Sequence, residues 1–166
     1  MVLEEQTAAI VSSPSGFPLW SEDYEAAWIG LLTTYRRLIR ELDGELEAAH
    51  GLTMSGLELL VRLATAPEGW LRLSTLAAEA NLSLSRVSRI VDVLEARGLV
   101  ERKPCPSDAR AINAQLTEHG LQVATAAQRT HLAAVRGRFF TRLRESEIRT
   151  LGAVFSRFAP GAPPQL

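Results

Sequence analysis

The chain is poor in the residues that covalent chemistry and membranes require. It has one cysteine, Cys105, so no disulfide can form within it. The histidines His50, His119 and His131 are scattered, and no Cys/His/Asp/Glu group has metal-ligand spacing. There is no nucleophile–base set, phosphate loop or motif-placed carboxylate pair, so neither an enzyme, a cofactor nor a metal is expected. No apolar run reaches membrane-spanning length, and the first residues are acidic rather than a basic signal head. A cytoplasmic protein with no membrane partner is therefore expected. Lysine is nearly absent: one of the 18 basic residues is Lys, the rest Arg. Net charge is only −1, which argues against a general nucleic-acid binder.

What is present points elsewhere. The 166 residues, 46% of them hydrophobic, suffice for one domain with a core. Charge is unevenly placed: residues 72–110 hold seven basic and five acidic side chains, so the excess there is positive but modest. Specific binding of an anionic partner would have to rest on geometry as well as charge.

Residues 74–116 carry the argument. Trp70–Leu73 is a short apolar-rich run suited to a small strand. Ser74 is the expected cap of a helix Thr75–Ala80 built largely of Ala and Leu. Asn81 should end it in the left-handed conformation. Ser83 should cap a second helix from Leu84 to about Arg97, ended by Gly98. Two short helices joined by a brief turn match the helix-turn-helix pattern. At about 100° per residue, Val87, Ile90, Val91 and Leu94 share one face of the second helix, and Ser85, Arg86, Ser88, Arg89 and Asp92 share the other. Small hydroxyls, Ser83 included, let a backbone approach a groove, and Arg bonds guanine edges or phosphates. Alone, this pattern is equally that of a solvated amphipathic helix. A charged hairpin after it shifts the balance. Leu99–Lys103 and Ala111–Leu116 read as strands, the second with Ile112, Ala114 and Leu116 inward. A turn-rich loop lies between them, with Arg102, Lys103 and Arg110 around it. An Arg at such a tip suits a minor groove.

These residues resemble the MarR family of transcriptional regulators over residues 22–158. The resemblance rests on Asn81-Leu82-Ser83-Leu84-Ser85-Arg86-Val87-Ser88-Arg89-Ile90-Val91, on Leu94-Glu95-Ala96-Arg97-Gly98-Leu99-Val100, on Asp108-Ala109-Arg110-Ala111 and on Leu116-Thr117-Glu118-His119-Gly120. It implies a mainly α fold with a small β wing: a winged helix-turn-helix flanked by long N- and C-terminal dimerisation helices. It also implies a homodimer on double-stranded DNA with a palindromic operator, and often release by a small molecule or an oxidant. Carried over by position, Ser83, Ser85, Arg86, Ser88 and Arg89 would face the major groove. Lys103 and Arg110 would serve the wing, with Arg110 in the minor groove and Asp108 orienting it.

The expected organisation is a flexible arm over 1–20, one domain over 21–158 and a Pro-rich tail over 159–166. Within the domain, 52–116 would be the winged lobe, and 21–50 and 117–158 the dimerisation helices. Ser21, Thr53, Thr117 and Ser146 are the expected helix caps. The stripe Leu121, Ala124, Ala127, His131, Leu132, Val135 and Phe139 reads as one inward face, as does Ile148, Leu151, Val154, Phe155 and Phe158. These stripes exceed what one small domain covers, and a two-fold dimer would bury them.

Two regulatory candidates can be named, and one histidine is set aside. Cys105 in the wing is a candidate redox residue, with Arg102, Lys103 and Arg110 near in sequence. An unremarkable loop cysteine is the plainer reading, since oxidant sensors of the resembling family usually carry theirs near the N-terminus. His131 reads as a packed histidine. Tyr24, Trp28 and Trp70, with Trp20 nearby, are candidate walls for a small aromatic or anionic effector, with Arg36, Arg37 or Arg40 to hold its charge. Core or dimer-interface roles suit the same aromatics. The expected function is thus a homodimeric, ligand-released repressor. The alternative is a winged-helix interaction module without specific DNA binding.

Overall fold

The computed structural model describes residues 9–105 and 108–158, the side chains of 108–110 excepted. The chain divides into two compact units, residues 1–41 and 42–166. The tail expected over 159–166 and the first eight residues of the expected arm lie outside the described residues.

In the first unit, residues 9–20 form a hairpin where no period is legible. Strand β1 (Ile10–Ser12) pairs antiparallel with β2 (Pro18–Trp20), Ile10 opposite Trp20. Ser13 organises the turn: its Oγ accepts from Phe17 N at 3.0 Å, and its carbonyl accepts from Gly16 N at 2.8 Å. Helix α1 (Glu22–His50) starts directly after Ser21, with Glu22, Asp23 and Glu25 in its first turn, where the helix dipole favours anions.

The second unit holds the end of α1 and everything after it. Thr53 caps α2 (Met54–Thr65), its Oγ1 accepting from Gly56 N at 3.1 Å. Strand β3 (Trp70–Arg72) leads into α3 (Leu73–Glu79), then α4 (Leu84–Ala96). Strands β4 (Val100–Cys105) and β5 (Asp108–Leu116) form the wing, and the sheet order is β3-β5-β4, all antiparallel. Thr117 then caps α5 (Glu118–Arg138), accepting from Gly120 N at 2.8 Å. A 3₁₀ turn (Phe140–Arg142) precedes α6 (Glu145–Ser156). One core joins these elements: Leu59, Leu60 and Leu63 of α2, Leu76 of α3, Val87, Val91 and Leu94 of α4, Ala124 and Ala127 of α5. The fold is mainly helical with a small antiparallel sheet, as the sequence predicts.

Several local readings need correction. Ser74 is not a cap: α3 starts one residue before it, from an extended Arg72 that makes no side-chain cap bond. Leu73 packs on the core, and that burial sets the start. Ser146 is not a cap either. At that end Glu147 reaches back, its carboxylate accepting from Arg144 N at 2.8 Å. The wing strands are longer than expected, with pairing carried to Cys105 opposite Asp108. Pro104 is tolerated because β4 is an edge strand and owes no amide to a further neighbour. In β5 the expected alternation inverts at one point: Asn113 is buried and Ile112 exposed. The stripe on α5 also splits. Ala124 and Ala127 are buried, as is Ala134, which the stripe does not include, while Leu121 and Leu132 face outward. No residue of α6 is buried within the chain, so Ile148, Leu151 and Val154 are only half-covered and Phe155 is exposed.

Candidate DNA interface

The turn between α3 and α4 is fixed by Asn81, whose φ of +52° is the left-handed conformation that lets the chain reverse. Leu82 N donates to Ala77 O at 2.9 Å, closing the α3 end. Ser83 is extended (φ −70°, ψ 148°), and its Oγ accepts from Arg86 N at 3.3 Å. This cap leaves the other first-turn amides of α4 directed outward, where an anion is favoured. Val87, Val91 and Leu94 are buried and Ile90 half-buried, so the apolar face is committed to the core. Ser83, Ser85, Arg86, Arg89 and Asp92 are exposed on the other face, and Ser88 is half-buried.

The two arginines are held loosely. Arg86 Nη2 donates to Ser55 Oγ of α2 at 3.4 Å, and Arg89 Nε to Ser85 O at 3.4 Å. Both bonds are long for N–H···O, so they give way to a stronger acceptor such as phosphate. Beside them a cleft of about 340 Å³ is lined by Glu47, Thr53, Arg86, Arg89, Val93 and Arg97, among others. Arg97 is already engaged, donating to Gly51 O and, at 2.8 Å, to His50 O.

On the wing, Lys103 is exposed and lies 3.4 Å from Glu101 Oε2. The backbones of Asp108 and Arg110 lie in β5, but their side chains are outside the described residues. Arg102 does not face outward as Lys103 does. Its guanidinium turns onto α4, 2.7 Å from Asp92 Oδ1 and 2.6 Å from Glu95 Oε2, and donates to Ser88 O at 2.9 Å. Its backbone N donates to Glu95 Oε1 at 2.9 Å. Those bonds hold the Glu95 carboxyl below its ordinary value, the backbone bond contributing most. Sequence reasoning missed this role, although Ser88, Asp92 and Glu95 stand at i, i+4 and i+7 of one helix, the spacing that would reveal it. It missed Ser55 as well, for which the sequence offers no signal.

The regulatory candidates separate. Cys105 is buried, and its Sγ accepts from Arg72 Nη2 at 3.3 Å. Among the described residues its arginine partner is Arg72 on β3, and the guanidinium of Arg102 turns onto α4. His50 Nε2 lies 2.8 Å from Thr130 Oγ1. His131 is half-buried, and burial lowers its pKa. In the first unit, Trp20 and Tyr24 stack at 6.4 Å between centroids, 16° from parallel, and Tyr24 and Trp28 are both exposed. Trp70 is half-buried on β3 of the second unit. Among the described residues no group of His, Cys, Asp and Glu is arranged to hold a metal ion, and no helix is long and apolar enough to cross a membrane.

A capped helix with a Ser/Arg face, set beside a two-stranded wing, defines a winged helix-turn-helix protein. Residues 50–111 match the sequence model of the MarR family. The solved structure of AbsC, a MarR family transcriptional regulator from Streptomyces coelicolor, is 33% identical, with a TM-score of 0.80 over 85% of this chain and 95% of that one. Sco3205, a MarR family transcriptional regulator of the same organism solved in complex with DNA, is also 33% identical, with a TM-score of 0.82 over 89% of this chain and 96% of its own. The regulator BldR of Sulfolobus solfataricus, at 22% identity and a TM-score of 0.69, shares the fold over 84% of this chain and 99% of its own. No match was found among curated proteins. The chain belongs to the MarR family of transcriptional regulators.

Proposed function

We propose that the protein is a homodimeric repressor that binds a palindromic operator and leaves it when a small aromatic or anionic ligand binds. The observation that carries the DNA part is the exposed Ser83, Ser85, Arg86 and Arg89 face at the capped start of α4, with Ser88 at its margin. Serines admit close approach to base edges, and the loosely held arginines supply bidentate donors. The exposed Lys103 adds a wing contact, and Asp108 and Arg110, whose backbones lie in β5, are proposed for the wing roles that the family resemblance implies.

The dimer is supported by apolar surface that one chain leaves uncovered. Trp28, Tyr35, Leu132, Phe155 and Phe158 are all exposed, and nothing on α6 is buried. Exposed apolar side chains of this size, in each unit by itself, mark interaction sites, and a second copy is the partner a two-fold operator requires. For the ligand, the candidate aromatic residues are Tyr24 and Trp28 in the first unit and Trp70 in the second.

Fluorescence anisotropy tests the reading. The native protein is titrated against the intergenic duplex upstream of its own gene and against a scrambled duplex, with Arg110→Ala in parallel. A preference for the native duplex that the substitution weakens is the expected result. Equal affinity for every duplex would sink the proposal.

A further inference from the structure

We infer that Arg102 is a specificity-determining positioning residue: it fixes the wing to the DNA-facing helix and shields the carboxylate of Asp92. The inference rests on the DNA-binding reading of α4 and the wing. Arg102 sits on β4, opposite Ala114 of β5, so its backbone belongs to the wing. Its side chain reaches three successive levels of α4. Nη2 contacts Ser88 O at 2.9 Å, Ser88 Oγ at 3.3 Å and Asp92 Oδ1 at 2.7 Å, while Nη1 contacts Glu95 Oε2 at 2.6 Å. Glu95 returns the grip by accepting from the Arg102 backbone N. A planar fork meeting two carboxylates and a carbonyl sets an angle, which a flexible ammonium would not.

Two consequences follow for DNA. The angle between wing and helix decides whether both reach one duplex at once, and discrimination depends on that joint register. Asp92 also lies on the face that carries Ser85 and Arg89, with 61% of its side chain exposed. An unmatched carboxylate there would repel phosphate, and Arg102 supplies the compensating charge. Arg102 itself is mostly covered, its side chain only 21% exposed, so it is not available as a phosphate contact.

The test uses a duplex selected by the native protein from a random-sequence pool, with a scrambled duplex as reference. Arg102→Gln is expected to lower the ratio of the two affinities by about tenfold. Its slope of log affinity against log salt should stay within about half a unit of native, since one lost phosphate contact would remove roughly 0.9. Arg102→Lys keeps the charge but not the fork and should restore less than half of the lost discrimination. Glu95→Gln, at a half-buried carboxylate whose loss is checked for effects on the fold by amide hydrogen exchange, should lower the ratio in the same direction. Combined with Arg102→Gln it should add little, because both remove one linkage. Native discrimination in Arg102→Gln, a slope lowered by a full phosphate contact, or fully additive effects would each overturn the inference. Amide hydrogen exchange of the free protein separates this from failure of the DNA reading. Exchange in Val100–Cys105 should quicken about tenfold in Arg102→Gln while Val87 and Val91 stay protected. Unchanged exchange there overturns the inference even if the pool yields no preferred duplex.

Discussion

Gly120 and Leu99 meet backbone to backbone: a Cβ on Gly120 would stand 1.9 Å from the Leu99 carbonyl oxygen and 2.9 Å from its carbonyl carbon. The first turn of α5 therefore lies directly on the strand entry of the wing. Thr117 closes the same junction, its hydroxyl donating to Gly98 O at 2.8 Å while accepting from Gly120 N at 2.8 Å. Gly120→Ala must push the helix off the wing base. The expected loss is about 2 kcal/mol or more, since overpacking against backbone outweighs the small gain in helix propensity. Urea denaturation measures it, and a stability equal to native would refute the contact. Thr117→Val should cost about 1 kcal/mol or more, since it removes both the cap and the bond to Gly98 O.

Asn81 holds the helix-turn-helix reversal at φ +52°. Asn81→Gly is expected to leave stability within about 0.5 kcal/mol, because glycine enters this region freely. Asn81→Val should cost about 2 kcal/mol, since a β-branched residue is strained there. Thermal denaturation of the two variants beside native checks this pair, and equal loss in both would point to the side chain rather than the backbone.

Acid should weaken the fold in two windows. The His131 pKa is lowered by burial from its ordinary 6.5, so the folded state favours the neutral ring. That contribution is present above the ordinary value and is lost as pH falls below it towards the folded one. Glu95 is held below its ordinary 4.5 by Arg102, and Glu147 likewise by Arg144, the side-chain bond contributing most to the latter. Their contributions are present above the ordinary carboxylate value and fade as pH falls through the lowered ones. Urea midpoints against pH should therefore show a first decline below about pH 6.5 that His131→Gln flattens. A second decline, below about pH 4.5, should shrink in Glu95→Gln. A midpoint that rises as pH falls through either window would contradict the assignments.

Much of this was legible in the chain because several decisive signals are local. Thr53, Ser83 and Thr117 each accept from an amide three residues on, and Asn81 takes the conformation its type favours. The exposed Ser/Arg face of α4 follows from helical period alone. What escaped depends on neighbours distant in sequence. Ala124 and Ala127 are inward because α5 packs closely on α2, and that approach leaves Leu121 and Leu132 outside. Asn113 is inward because β5 is the central strand, and the register shift at Pro104/Cys105 disturbs simple alternation at the far end. Arg102 reads as one more wing cation until the turn at Gly98 folds β4 back beside α4.

The central claim is that the α4 face reads sequence in duplex DNA. The direct measurement is anisotropy of the native protein, Arg86→Ala and Arg89→Ala on a pool-selected and a scrambled duplex, across a salt series. The account predicts a clear native preference for the selected duplex, affinity falling steeply with salt, and a preference cut by about tenfold in each variant. A native protein that binds both duplexes equally at every salt concentration, or variants that keep the full preference, would contradict it.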